Sequence, residues 1–179
     1  MRQTQQTKAK QIKLQRHRTE MGELTMGSFD GALCFLGVGG GDLSHVADDR
    51  LRKGLGAVLV EEDSPILELT RRQIDEYLGG TRKEFDIPLL MVGSDFQKSV
   101  WKALMKVPHG STSTYRRIAE DIGSPKAVRA VGNACKANPI GIIVPCHRII
   151  GSDGGLVGYG GGVPLKEMLL SLEQRHGAR

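Results

Sequence analysis

The chain has 179 residues, a formal net charge of +5, 39% hydrophobic and 25% charged residues, the composition of a soluble globular protein large enough to bury a core without disulfides. It contains no apolar run of bilayer length and no signal-peptide core at its N-terminus, so an intracellular protein is expected, with no membrane partner. Its three cysteines, Cys34, Cys135 and Cys146, form no Cys-x-x-Cys pair, and His17, His45, His109 and His176 do not stand at zinc-ligand spacings. Neither a disulfide framework nor a structural metal is expected, and no cofactor.

The net charge hides a division along the chain. Residues 1–20 hold six Lys/Arg against one Glu, residues 21–91 seven against thirteen acids, and residues 92–179 twelve against six. This asymmetry points to an anionic partner for the C-terminal half.

Taken in order, residues 1–20, with five Gln, six basic residues and few large apolar ones, read as a basic mobile tail. Residues 21–91 read as a small α/β scaffold unit. Glu23 to Val38 is β-tolerant with a turn signal at Asp30-Gly31, which predicts a hairpin; Gly39-Gly40-Gly41 reads as a flexible connection because no Gly-Lys-Ser/Thr follows. Ala57 to Glu61 reads either as a further short strand or as the end of a helix. Ser64-Pro65 supplies an N-cap and a first-turn proline for a helix whose face carries Ile66, Leu67, Ile74 and Leu78 and which stops at Gly79-Gly80. Phe85 to Met91 reads as a last strand.

Residues 92–179 form a second unit. Phe96, Val100, Trp101 and Leu104 fall at helical spacing, closed by Pro108-His109-Gly110. Tyr115, Ile118, Ala119 and Ile122 make one stripe on a short helix that Gly123 ends, and Ser124-Pro125 starts another that buries Val128, Val131 and Cys135. A short helix, a Gly-containing turn and a second helix is the helix-turn-helix pattern. On the second helix Lys126, Arg129, Asn133 and Lys136 share the outer face, among the small residues Ala127, Ala130, Gly132, Ala134 and Ala137. A basic face stripped of bulk lets a backbone approach nucleic acid closely. After the apolar run Ile140 to Val144 comes Pro145-Cys146-His147-Arg148, a thiol beside a base, the pairing that makes a reactive cysteine.

These segments resemble the O6-alkylguanine-DNA alkyltransferases: Tyr115 with Arg116-Arg117-Ile118-Ala119, Pro125 to Gly132, Ala137-Asn138-Pro139, Pro145 to Arg148 and Gly158-Tyr159 occur in that family's order from about Phe96 to Glu173. The resemblance implies an α/β (α+β) fold, a small ribonuclease-H-like unit followed by a mainly helical helix-turn-helix domain. It implies a stoichiometric methyltransferase that flips O6-alkylguanine, chiefly O6-methylguanine and with it O4-methylthymine, from double-stranded DNA and moves the alkyl group irreversibly to Cys146. His147 would be the base, acting through a water, with Glu167 orienting it. Asn138 would brace the turn before the cysteine. Tyr115 would crowd the phosphate and donate a hydrogen bond to O6, and Arg129 would fill the gap in the stack. Lys126, Ala127, Ala130, Gly132 and Asn133 would lie against the minor groove. Tyr159, Gly160, Gly141 and the backbone of Val144 would form the substrate pocket.

Gly141 replaces a proline found in some relatives, so a roomier pocket is expected. A compact chain without a coiled-coil pattern is expected to be a monomer. Three other readings stand beside this one: a helix-turn-helix DNA-binding protein without chemistry, a lesion sensor without alkyl transfer, and a cysteine hydrolase.

Overall fold

The computed structural model describes residues 9–39 and 49–177; residues 1–8 of the expected tail and Gly40-Gly41 of the glycine run lie outside them. Strands β1 (Lys10–Thr19), β2 (Gly22–Phe29), β3 (Ala32–Val38) and β4 (Ala57–Glu61) form one sheet of order β3-β2-β1-β4. β1 pairs antiparallel with β2 and parallel with β4, and β2 pairs antiparallel with β3. The β2-β3 hairpin turns at Asp30-Gly31, both with positive φ, 48° and 77°, the conformation an Asp-Gly pair adopts at little cost. Helices α1 (Asp49–Leu55) and α2 (Pro65–Leu78) complete this unit. Ser64 caps α2 through its hydroxyl, which accepts from the Leu67 amide, and Pro65 occupies the first turn.

The tail expected over residues 1–20 does not hold over Lys10–Thr19: that segment is an inner strand of the sheet. Its polar composition hides a short alternation in which only Ile12 and Leu14 are buried. They join Cys34, Leu51 and Ala57 in a small core on one side of the sheet. The strand is held by pairing on both edges and by side-chain bonds from its polar side, including His17 Nε2 to Asp75 Oδ1 at 2.6 Å.

Phe85 to Met91 is not a strand. Pro88 cannot donate to a ladder, and the segment makes a single bridge to β3, with the Leu33 amide donating to Pro88 O and the Leu90 amide to Leu33 O, both at 2.8 Å.

The remaining elements are α3 (Asp95–Leu104), β5 (Ser113–Thr114), α4 (Tyr115–Asp121), α5 (Val128–Lys136), a single 3₁₀ turn (Cys146–Arg148), β6 (Ile149–Ile150) and α6 (Val163–Gly177). A capping box formed by Ser94 and Gln97 opens α3. Helix α5 begins at Val128, later than Ser124-Pro125 suggests, because the Ala127 amide first closes a turn onto Ser124 O at 2.8 Å. Trp101 Nε1 donates to Ala134 O at 2.9 Å and so ties α3 to α5 inside the core.

The main core runs without a break from Leu24, Met26, Leu33 and Leu36 of the sheet, through Leu67, Ile74 and Tyr77 of α2, to Ile118, Val131, Ile149 and Leu169 of the later helices and strand. Its consequence for function lies at the free edge of β3. There the Leu36 amide donates to Pro139 O and the Gly141 amide to Leu36 O, both at 2.8 Å. The N-terminal sheet therefore pins the segment that leads into Cys146.

Candidate active site

Cys146 begins the 3₁₀ turn and is 8% exposed. Asn138, just beyond α5, braces it from three directions. Its Nδ2 donates to Val144 O at 2.8 Å and to Cys146 Sγ at 3.3 Å, while its Oδ1 accepts from the Ile140 amide at 3.0 Å. Within this loop Ile142 is buried with φ at 67°, a region that β-branched residues avoid and that persists only where its surroundings over-determine it. Burial raises the Cys146 thiol above its ordinary value, against the lowering effect of the Asn138 hydrogen bond and the Lys166 charge. The resting thiol is protonated at neutral pH, so a base has work to do at this position.

His147 is fully buried, and its Nε2 lies 2.8 Å from Glu173 Oε1. Burial lowers the imidazole, more than the Glu173 hydrogen bond and charge raise it, so His147 is neutral at pH 7. Glu173 is fully buried too. Burial alone would raise its carboxyl, but hydrogen bonds from His147, Arg148 and the Tyr77 hydroxyl hold it well below the usual carboxylate range. An ionised Glu173 can only accept, so Nε2 carries the imidazole proton and Nδ1 keeps the lone pair. That Nδ1 is buried and has no hydrogen-bond partner within the protein.

Glu173, not Glu167, is thus the acid at the imidazole. Glu167 is exposed on α6. Glu173 gathers donors from across the molecule: Tyr77 OH at 2.6 Å, the Gly110 amide at 2.9 Å, and Arg148 Nε and Nη2 at 2.9 to 3.1 Å. Arg148 Nη1 donates in turn to Val107 O at 2.6 Å.

A cavity of about 150 Å³ opens onto Cys146. One wall is the loop Tyr159-Gly160-Gly161, another is Leu36, Gly37 and Val38 of β3, and Cys135, Asn138 and Gly141 close it. Tyr159, Gly160 and Gly141 all line this cavity. Val144 does not line the cavity: it is buried, and its carbonyl is turned inward to accept from Asn138 and from the Cys146 amide. A Cβ on Gly141 would meet Leu36 O at 3.2 Å, so the bare wall follows from the contact with β3.

Tyr115 is half-buried at the start of α4, and its hydroxyl donates to Val157 O at 3.0 Å. Gly132 lies under its ring, at 4.0 Å from where a Cβ would stand. Lys166, which the sequence reading passes over, is fully buried on α6. Its Nζ donates to Ile149 O and, at 3.1 Å, to Val157 O, joining α6 to the loop that carries Tyr159. On α5 and the turn before it, Lys126, Arg129, Ala130 and Asn133 are exposed and Ala127 is half-buried, on the side away from the buried Val131, Ala134 and Cys135. The structure therefore sets a bare, basic helix face beside the reactive turn. Among the described residues no group of three or more His, Cys, Asp or Glu is arranged to hold a metal, and no helix is long and apolar enough to cross a membrane.

Residues 95–175 match the sequence profile of the 6-O-methylguanine DNA methyltransferase DNA-binding domain. A methylated-DNA–protein-cysteine methyltransferase of Methanosarcina barkeri is 51% identical over 115 residues, 64% of this chain and 73% of that one. The chain belongs to the methylated-DNA–protein-cysteine methyltransferase family. The likeness extends through the N-terminal sheet: the crystal structure of the Mycobacterium tuberculosis O6-methylguanine methyltransferase superposes with a TM-score of 0.77 at 36% identity, covering 92% of this chain and 94% of that one. The crystal structure of Mycobacterium tuberculosis OGT in complex with DNA gives 0.76 at 36% identity, over 93% and 94%. The α/β architecture described above is that of this methyltransferase family.

Proposed function

We propose that this protein repairs DNA by direct reversal, drawing an O6-alkylated guanine out of the duplex and taking the alkyl group onto Cys146 Sγ. The observation that carries the reading is the Cys146-His147-Glu173 arrangement beside a cavity that opens onto the thiol, next to a helix whose exposed face is small and basic. Nδ1 of neutral His147 takes the thiol proton, relayed by a water. The thiolate then displaces guanine at the alkyl carbon: an S–C bond forms, the O6–C bond breaks with its electron pair going to the base, and the base recovers one proton. The product thioether does not hydrolyse, so each molecule acts once.

The helix pair α4 and α5 serves as a helix-turn-helix laid in the minor groove, where Ala127, Ala130 and Gly132 permit close approach and Lys126 and Asn133 meet the backbone. Arg129, exposed on that face, fills the place of the extruded base, whose unstacking costs a few kcal/mol. Tyr115 steers the rotated phosphate, and Tyr159 with the Gly160 backbone holds the guanine. Residues 10–91 act as a scaffold that braces the acceptor loop through β3. The protein works as a monomer inside the cell, in the cytoplasm of a prokaryote or the nucleus of a eukaryote.

The test is intact-protein mass spectrometry after incubation with a duplex containing O6-methylguanine, followed by peptide mapping. One methyl on Cys146, guanine restored in the DNA and no transfer to Cys146→Ala are the expected results. Tight binding to the lesion with no mass shift would leave a sensor that performs no transfer.

A further inference from the structure

Among the described residues the wall of the Cys146 cavity carries one sign of charge: no Asp or Glu lines it, and the cationic residue that does is Lys136. Lys136 leaves the last turn of α5 and runs back over the loop that carries Tyr159, since its Cε lies 3.8 Å from where a Cβ on Gly158 would stand. A second cation, Lys166, sits behind the same wall and donates to the carbonyls of Ile149 and Val157. The nearest buried acid, Glu173, is already engaged with Arg148 and His147. A cleft lined by one sign of charge, with low-dielectric walls, favours a ligand of the opposite sign.

We propose that this cavity prefers O6 substituents bearing a carboxylate, such as carboxymethyl, over neutral groups of the same size, and that Lys136 is the residue that makes the distinction. The inference rests on the alkyl-acceptor reading above and adds a substrate class to it. The chemistry is unchanged: Cys146 Sγ bonds to the substituent's methylene carbon, the O6–C bond breaks with its electron pair going to guanine, and the thiol proton lost by Cys146 is balanced by the one guanine gains. Gly160, whose Cβ position is open space, and Gly141 leave part of the wall bare of side chains.

Single-turnover transfer is measured by mass spectrometry from two otherwise identical duplexes, one with O6-carboxymethylguanine and one with its uncharged isostere, O6-carbamoylmethylguanine. Contacts to the DNA backbone cancel in the ratio of the two rates. The ratio should exceed one in the wild type, fall by about fivefold in Lys136→Met, persist in Lys136→Arg, and shrink with added salt. A wild-type ratio near one, or a ratio that Lys136→Met leaves unchanged, overturns the proposal. The latter is the result expected if Lys136 merely binds a phosphate, since both rates would then drop together. Transfer of methyl but of neither larger group would also overturn it, whereas loss of methyl transfer as well would sink the acceptor reading itself.

Discussion

Replacing Glu173 by Gln removes one charge from a fully buried site and keeps the shape of the side chain. In the native protein Oε1 accepts from Tyr77 OH, His147 Nε2 and both Arg148 nitrogens, and Oε2 accepts from the Gly110 amide and Arg148 Nε. An amide must point its NH₂ at one of these sets, so donors meet donors whichever way it is turned, and Arg148, 7% exposed, loses its counter-charge. Breaking a buried ion pair from one side costs about 3–5 kcal/mol. For a chain of this size that corresponds to a fall in Tm of about 6–20 °C. Thermal and urea unfolding of wild type and Glu173→Gln at pH 7 measures it.

The pH dependence supplies an independent check. Because the folded protein holds the Glu173 carboxyl below its ordinary value, its contribution is complete above the unfolded pKa, about 4.3, and is lost as pH falls below that. The gap between wild type and variant should therefore be full at pH 7 and narrow below about pH 4. Glu167→Gln, on the exposed side of α6, should stay within about 0.5 kcal/mol of wild type. A loss under about 1 kcal/mol for Glu173→Gln at pH 7, or a gap that does not narrow in acid, would refute the account.

Three further outcomes follow from the site. Since burial keeps His147 neutral below its ordinary range, the acid limb of the transfer rate should lie below pH 6.5; a limb above that value in single-turnover assays would contradict the assignment. Asn138→Ala deprives the Ile140 amide of its acceptor and Cys146 Sγ of its donor, so it should cost about 1–3 kcal/mol. Because the Asn138 hydrogen bond lowers the Cys146 thiol, the variant's iodoacetamide reactivity should also titrate at higher pH than the wild type's. Arg129→Ala should slow transfer from duplex DNA far more than from the free base O6-benzylguanine, and equal slowing of both would rule out its role in the stack.

What could be read from the sequence, and what could not, divides along a physical line. The β2-β3 hairpin and α2 were legible because local chemistry specifies them: an Asp-Gly turn and a Ser-Pro cap act within a few residues. Lys10–Thr19 was not, because its strand character comes from two neighbours in the sheet and only Ile12 and Leu14 mark its buried side. Cys146, His147 and Asn138 sit in one stretch of chain, so their association was visible as a motif. The acid that serves them comes from another element, where a helical stripe marks it. Leu165, Leu169 and Glu173 lie at i, i+4 and i+8 and are all buried, while Glu167 falls off that stripe. An acid that continues an apolar stripe must find donors where it is buried, and one of them is Tyr77, 96 residues away on α2. The buried carboxylate therefore couples the N-terminal unit to the reactive turn, and substitutions at Tyr77 should register at Cys146 although no segment of sequence joins the two.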